Sequence, residues 1–332
     1  MDVRLIVPGN VRHGSGGNKY NAKLAEHLGA LAVYVETVTV DGDWPVGSPA
    51  DRQRFADAFD GGATVIADGL VASGAPDEVA AAVARGAKVW ILQHMALADH
   101  PVLEAKALAA ATGIICPSEH AVAELQAKHG HVDAVVARPG VEPAKMAVGS
   151  EPPRVVAVAA LLANKQQKML VEALSQLRDL PWSATLIGSP DADPAYAAEV
   201  RAAVVNHGLD GRIALTGELS GQALEDQWHA ADLSVLVSRS EAFGMVVVES
   251  LAHGVPVLVR QGTGAAEALG SWGAGAAVEG SPSALARTLR RWLTDPALQD
   301  AWRTAAHHAR RDLPGWDATA ATVLKALAAP PS

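Results

Sequence analysis

Short runs rich in Val, Ile and Leu alternate along the chain with longer stretches whose apolar residues recur every three or four positions. Continuous apolar runs at 3–9, 32–40, 63–69 and 87–94 predict buried strands. The stretches 18–30, 77–86 and 121–130 carry the helical period. A Gly- and Pro-rich segment, 140–153, then reads as a linker, after which the pattern restarts. Strands are predicted at 154–161, 184–189, 212–217, 233–238 and 256–260. Helices are predicted at 167–177, near 195–207 and near 221–230, and the stretch 282–328 reads as helical throughout. Strands that alternate with helices imply parallel sheets covered on both faces. Two such halves in tandem predict an α/β protein of two Rossmann-like, doubly wound domains facing across a cleft. Ligands of such sheets bind at the carboxyl ends of the strands.

Composition agrees with this reading and narrows the partners. With 332 residues, 49% hydrophobic and 19% charged, the chain can bury large cores in two domains. The formal charge of −9 is divided as −5 over residues 1–150 and −4 over 151–332. Bulk charge therefore offers nothing to nucleic acid or to an anionic membrane. Cys116 is the only cysteine, so no intrachain disulfide can form. The N-terminal apolar run is too short for a signal peptide, and no stretch reaches 18 uninterrupted apolar residues. A cytoplasmic protein is expected.

Candidate chemistry concentrates in SRSEAFGMVVVESLAHGVPVLV, residues 238–259, where two glutamates eight positions apart interrupt an apolar run. Ser238 ends a buried strand, the helix is expected to start near Gly244–Met245, and Gly254 is expected to end it. The free N–H groups of 244–246 then face the carboxyl edge of the sheet, where an oxygen-rich ligand is favoured. Glu249 lies one turn in, on the face of Met245, and could accept two hydrogen bonds from a vicinal diol such as a ribose. The plainer alternative makes Glu241 a helix-dipole partner and Glu249 an exposed surface group.

The strand, the Glu-x7-Glu spacing, the Gly-x-Pro and the second strand together resemble the signature of retaining GT-B glycosyltransferases of family 4. That resemblance implies a nucleotide-sugar donor, with Glu249 at its ribose and Glu241 at its sugar. The amides of Phe243, Gly244 and Met245 would lie at sugar hydroxyls or phosphate. HGSGGNKYNAKLAEHLG (13–29) is similar to the family's Gly-Gly loop, in which Gly16 and Gly17 let the backbone approach a diphosphate. His94, which alone would read as structural, matches the family's histidine at the donor sugar. Ser118 matches a family serine and reads as an N-cap. Gly262 and Gly264 resemble a further Gly-rich loop.

One segment departs from the pattern. Family members read like Val-Gly-Arg-Leu-x-x-x-Lys-Gly, with the Arg and Lys at the diphosphate. In VAALLANKQQ (158–167), Lys165 fits the lysine, but Ala160 stands for the arginine and Gln166 for the glycine. Lys168, Arg138, Arg12 and Lys19 are candidates for the missing charge. The implied domains are 1–148 on the acceptor side, 149–310 for the donor, and a C-terminal helix in 311–332 packing back on the first domain. The implied reaction is retaining sugar transfer to a small, soluble acceptor by His94, Glu241 and Lys165. It is expected to be metal-independent, to need no cofactor, and to use UDP-sugars before GDP-sugars. Neither nucleic acid nor a membrane is expected as a partner. A non-catalytic subunit that binds nucleotide sugar or a partner enzyme is the competing reading, favoured by Ala160. A nucleotide-sugar epimerase is a third reading, without positive support.

Overall fold

Among the described residues of the computed structural model (1–11, 14–61, 63–97 and 99–329), every strand pair is parallel. The strands form two six-stranded sheets. The first contains β1 (Asp2–Pro8), β2 (Tyr34–Val40), β3 (Thr64–Asp68), β4 (Lys88–Leu92), β5 (Gly113–Cys116) and β6 (Val135–Val136), in the order β2-β1-β3-β4-β5-β6. It is flanked by α1 (Gly16–Ala30), α2 (Pro49–Asp57), α3 (Gly69–Ala72), α4 (Pro76–Ala84), α5 (Pro101–Ala110) and α6 (Glu119–His129). The second contains β7 (Arg154–Val158), β8 (Ser183–Ile187), β9 (Ile213–Gly217), β10 (Leu233–Leu236), β11 (Val257–Arg260) and β12 (Gly275–Val278), in the order β12-β11-β10-β7-β8-β9. Its helices are α7 (Gln167–Ser175), α8 (Pro194–Asn206), α9 (Gly221–His229), α10 (Met245–Ala252), α11 (Gly264–Leu269), α12 (Pro282–Thr294) and α13 (Pro296–Asp312); α14 (Trp316–Ala328) is the last helix among the described residues.

Burial on both faces explains why the strands read as apolar runs rather than as alternating ones: every residue of β3 and of β10 is buried. Side-chain caps mark several helix starts. Ser15, Ser118, Asp193, Ser281 and Asp295 each accept a backbone N–H from their own first turn, and Ser48 forms a capping box with Asp51. Five of the eight tryptophans (44, 182, 228, 292 and 316) are buried. Their surface goes into packing, as aromatic bulk in a core usually does.

The chain divides into two units: Met1–Gly140 together with the segment from Pro314, and Val141–Leu313. The change falls at Gly140–Val141 rather than at 148–149. Ala147 donates its N–H to the carbonyl of His253 at 2.9 Å, and Val148 donates to that of His229 at 2.8 Å. Those bonds make 147–148 part of the second unit. At the other end, residues 311–312 still belong to α13, so the final helix starts later than 311. In the first unit α14 packs on α1, with Trp316 edge-on to Tyr20 at 5.3 Å and the Thr319 hydroxyl donating to the Arg138 carbonyl at 2.7 Å. No helix among the described residues is long and apolar enough to cross a membrane.

The strand expected at 154–161 stops at Val158. The buried Gln167 side chain donates its amide to the carbonyls of Ala159 and Ala160, at 3.3 and 2.9 Å, and draws that backbone into a loop. This early stop carries Lys165 past the carboxyl edge of the sheet.

Candidate functional site

In the second sheet the strand order reverses between β7 and β10, which are neighbours although far apart in sequence. Loops leaving two such strands diverge and open a crevice at their carboxyl ends. The loop after β7 contains a single 3-10 turn, Ala163–Lys165. It is joined to the loop after β10 at several points. The Asn164 side chain donates to the Ser240 carbonyl at 3.0 Å and accepts the Ser240 N–H at 3.1 Å, while the Arg239 N–H donates to the Asn164 carbonyl at 2.8 Å. This registration brings Lys165 Nζ to 2.5 Å from Glu241 Oε1. The fully buried Ser238 donates its hydroxyl to the same oxygen at 2.7 Å. The pair is mostly enclosed, with 22% of the Lys165 side chain and 12% of the Glu241 side chain exposed. In a setting this far withdrawn from water, each group serves as the other's hydrogen-bonding partner.

Gln166, next to Lys165, has φ 58°, the left-handed region that glycine adopts without strain. The backbone thus keeps a glycine-like turn although the residue is Gln, whose amide donates to the Ala163 carbonyl at 2.7 Å. On the other side, Gly264 donates its N–H to the Glu241 carbonyl at 2.7 Å. A Cβ on Gly264 would lie 2.0 Å from the Ala242 carbonyl oxygen, so only glycine lets α11 approach the Glu241 loop this closely. Gly244, with φ 86°, starts α10, and like Gln166 at the start of α7 it provides no side-chain cap. At α10 the N-cap therefore offers no side-chain oxygen to the first amides at this edge, whereas at α7 the Tyr196 hydroxyl accepts the Lys168 N–H at 3.2 Å.

Glu249 is half-buried in α10, as is Met245, while Val247, Val248 and Leu251 fill the core. The carboxylate is therefore on the accessible stripe of an otherwise apolar helix. Phe243 has its ring in that same core at 6% exposure, so only its backbone is available to a ligand. Lys168, considered for the missing charge, is 2.8 Å from Glu199, and Arg138 is 3.8 Å from Glu119 in the first unit. Arg12 lies outside the described residues.

The first unit holds a separate cluster at its own strand-order reversal, between β1 and β3. Gly16 begins α1, and the His94 ring lies against Gly17, where a Cβ would be 3.1 Å from Cδ2. His94 Nε2 is 2.9 Å from Asn21 Oδ1, and Asn21 donates its amide to Asp68 at 2.6 Å. An amide oxygen only accepts, so this chain puts the imidazole proton on Nε2 and leaves Nδ1 basic. Burial lowers the His94 pKa and outweighs the opposing attraction of Asp68, so the ring is neutral near pH 7. Behind it, the fully buried Glu104 gathers Gln93 Nε2 at 2.8 Å, Leu97 N–H at 2.7 Å, His129 Nε2 at 2.6 Å and Lys128 Nζ at 3.4 Å. That cluster holds the loop carrying His94.

Of the residues named from sequence, Lys165 and Glu241 meet in the second unit, where Gly244, Met245 and Glu249 form the adjoining helix start. Gly17 and His94 meet in the first. Asn21, Asp68, Asn164, Ser238 and Arg239 carry no sequence signal of their own beyond adjacency to a motif. Among the described residues, no group of three His, Cys, Asp or Glu side chains is arranged for a metal ion.

Comparison with known proteins identifies the fold and the family. The D-inositol 3-phosphate glycosyltransferase of Streptosporangium roseum is 34% identical over 140 residues, covering 41% of this chain and 31% of that protein. The mannosylfructose-phosphate synthase of Agrobacterium fabrum is 32% identical over 117 residues, 33% of this chain and 26% of that protein. The matched stretch thus spans about a third or less of these curated relatives' length. The sucrose-phosphate synthase structure from Thermosynechococcus elongatus superposes with a TM-score of 0.84 at 19% identity, over 98% of both chains. The Anabaena HepE structure in complex with UDP-glucose does so with 0.79 at 16%, over 98% of this chain and 99% of that one. These likenesses identify the two-sheet α/β architecture as the GT-B fold. The model of the glycosyl transferases group 1 family matches residues 141–309, just over half of the chain. The chain belongs to the glycosyl transferases group 1 family.

Proposed function

We propose that this chain transfers a sugar from a nucleoside-diphosphate sugar to a small, soluble acceptor, with retention of anomeric configuration and without a metal ion. The observation that carries the reading is the Lys165–Glu241 pair at 2.5 Å, beside the N-termini of α7 and α10 where the strand order reverses. A diphosphate is favoured against helix N-termini and an ammonium group, and Glu249, on the accessible stripe of α10, suits a ribose diol. Glu241 is oriented towards the donor sugar by Ser238 and Lys165. With that carboxylate already engaged by two donors, the reading assigns no protein nucleophile. The acceptor oxygen forms the new bond to the anomeric carbon as the bond to the leaving phosphate oxygen breaks, and the acceptor proton passes to that oxygen. The lysine and the helix amides stabilise the charge that develops there.

Supporting the donor class, HepE was solved with UDP-glucose. Supporting a small polyol or sugar acceptor, one bearing phosphate in particular, are the names of the inositol 3-phosphate and mannosylfructose-phosphate enzymes. The test is incubation with UDP-, GDP- and ADP-sugars, with and without inositol 3-phosphate or fructose 6-phosphate, followed by NMR of the product anomer. Turnover that survives EDTA and falls about 10²-fold or more in Lys165→Ala is expected. Donor binding without turnover for any pair would instead favour the non-catalytic subunit that Ala160 suggests.

A further inference from the structure

We infer that Arg239 supplies the net positive charge that binds the donor diphosphate, an inference that rests on the donor site proposed above. A diphosphate is a polyanion, and Lys165 alone does not answer it. Its ammonium is 2.5 Å from the Glu241 carboxylate, so the pair sums to zero charge. The N-termini of α7 and α10 add only about half a charge each.

Of two other cations near these strand ends, neither is both exposed and unpaired. Lys168 is paired with Glu199 at 2.8 Å. Arg260, at the end of β11, lies over the Gly280 backbone, where a Cβ would be 2.2 Å from its guanidinium carbon. Arg239 differs from both. It is exposed, and among the described residues its guanidinium has neither an ion pair nor a hydrogen-bond partner. Its backbone is held firmly all the same. The Arg239 N–H donates to the Asn164 carbonyl at 2.8 Å, one residue before Lys165, and its neighbours Ser238 and Ser240 are tied to Glu241 and Asn164. A free guanidinium on a fixed base beside a neutral ion pair is the arrangement a phosphate oxygen would complete. Arginine's planar fork can grip two such oxygens at once. β7 and β10 are adjacent and about 4.8 Å apart, so an arginine rooted after β10 can serve a ligand lying over the loop after β7.

The test is calorimetric titration of the full chain with UDP, GDP and ADP and with the matching nucleosides, for wild type, Arg239→Ala and Arg239→Lys at 50 and 200 mM NaCl. For the diphosphate that binds wild type, Arg239→Ala is expected to weaken affinity about tenfold and to flatten its salt dependence. Arg239→Lys should recover part of the loss, and nucleoside affinity should stay within twofold. A diphosphate loss of less than fivefold, or an equal loss for the nucleoside, overturns the assignment. Wild type that binds no nucleoside diphosphate at all overturns the donor-site reading beneath it.

Discussion

Substituting Gly264 by alanine tests whether the Glu241 loop is held where its chemistry needs it. The new Cβ would sit 2.0 Å from the Ala242 oxygen, 2.3 Å from the Ala242 carbon and 2.7 Å from the Glu241 oxygen. Ordinary contact begins near 3.4 Å, so loop and helix must separate by roughly 1.4 Å. All three obstacles are backbone atoms, which a rotamer change cannot clear. Forcing a methyl group into such a contact costs about 1–3 kcal/mol, and it strains the 2.7 Å bond from Gly264 to Glu241 as well. Alanine's better helix propensity returns less than about 1 kcal/mol at a first-turn position. The net loss expected is about 2 kcal/mol. For a unit the size of Val141–Leu313 that lowers the thermal midpoint by about 4–8 °C. Displacing Glu241 by about 1 Å should also reduce donor turnover on the order of 10²-fold. Scanning calorimetry and donor hydrolysis measure the two effects separately. Gly211→Ala is the control, because nothing lies within 4 Å of a Cβ there; its stability should stay within about 0.5 kcal/mol of wild type. A Gly264→Ala protein with the control's midpoint and full turnover would refute the reasoning.

Three further outcomes follow from the geometry. The depressed His94 pKa means that above about pH 6.5 the ring is neutral whether the chain is folded or not, and its contribution to stability is fully present. As pH falls below that value the unfolded chain takes up a proton that the folded chain resists, so urea midpoints should drop from pH 7.5 to 5.5, and drop less in His94→Gln. Glu104→Ala removes a fully buried carboxylate from four donors and should cost about 3 kcal/mol by urea titration, with Glu104→Gln intermediate; an alanine variant within 1 kcal/mol of wild type would contradict a role in anchoring the loop. Gln166→Gly relieves a left-handed residue at about 1–2 kcal/mol and loses about 0.5–1 kcal/mol in unfolded-state entropy, so a gain of about 0.5 kcal/mol is expected, while a loss above 1 kcal/mol would show that the Gln166 amide matters more than its strain.

Much of the architecture was legible because its causes are local. Apolar runs, the Ser118 cap and the Gly-x-Pro after α10 act within a few residues, and α10 does run from Met245 to Ala252 as its flanking residues imply. Glu249 was legible for a similar reason: the helical period puts it on the stripe of Met245 and away from Val247, Val248 and Leu251. The strand end at Val158 was not legible, because it depends on where the Gln167 amide points. Nor was the boundary at Gly140–Val141, which depends on bonds from Ala147 and Val148 to His253 and His229. The site's electrostatics were hidden for the same kind of reason. Sequence alone shows Ala160 where an arginine is usual, but it cannot show that Lys168 is taken by Glu199 while Arg239 stays free.

By itself, then, the sequence determined the alternation of strands and helices, the positions of the two glutamates and the lysine, and the family they resemble, since each is written within a short window. Only the tertiary structure decided that Lys165 meets Glu241 across 76 residues of chain, that Asn164 and Ser240 hold that meeting in register, and that Gly264 leaves room for it. Charge pairing and close packing depend on distances in space, and these exist only once the sheet has brought β7 and β10 side by side.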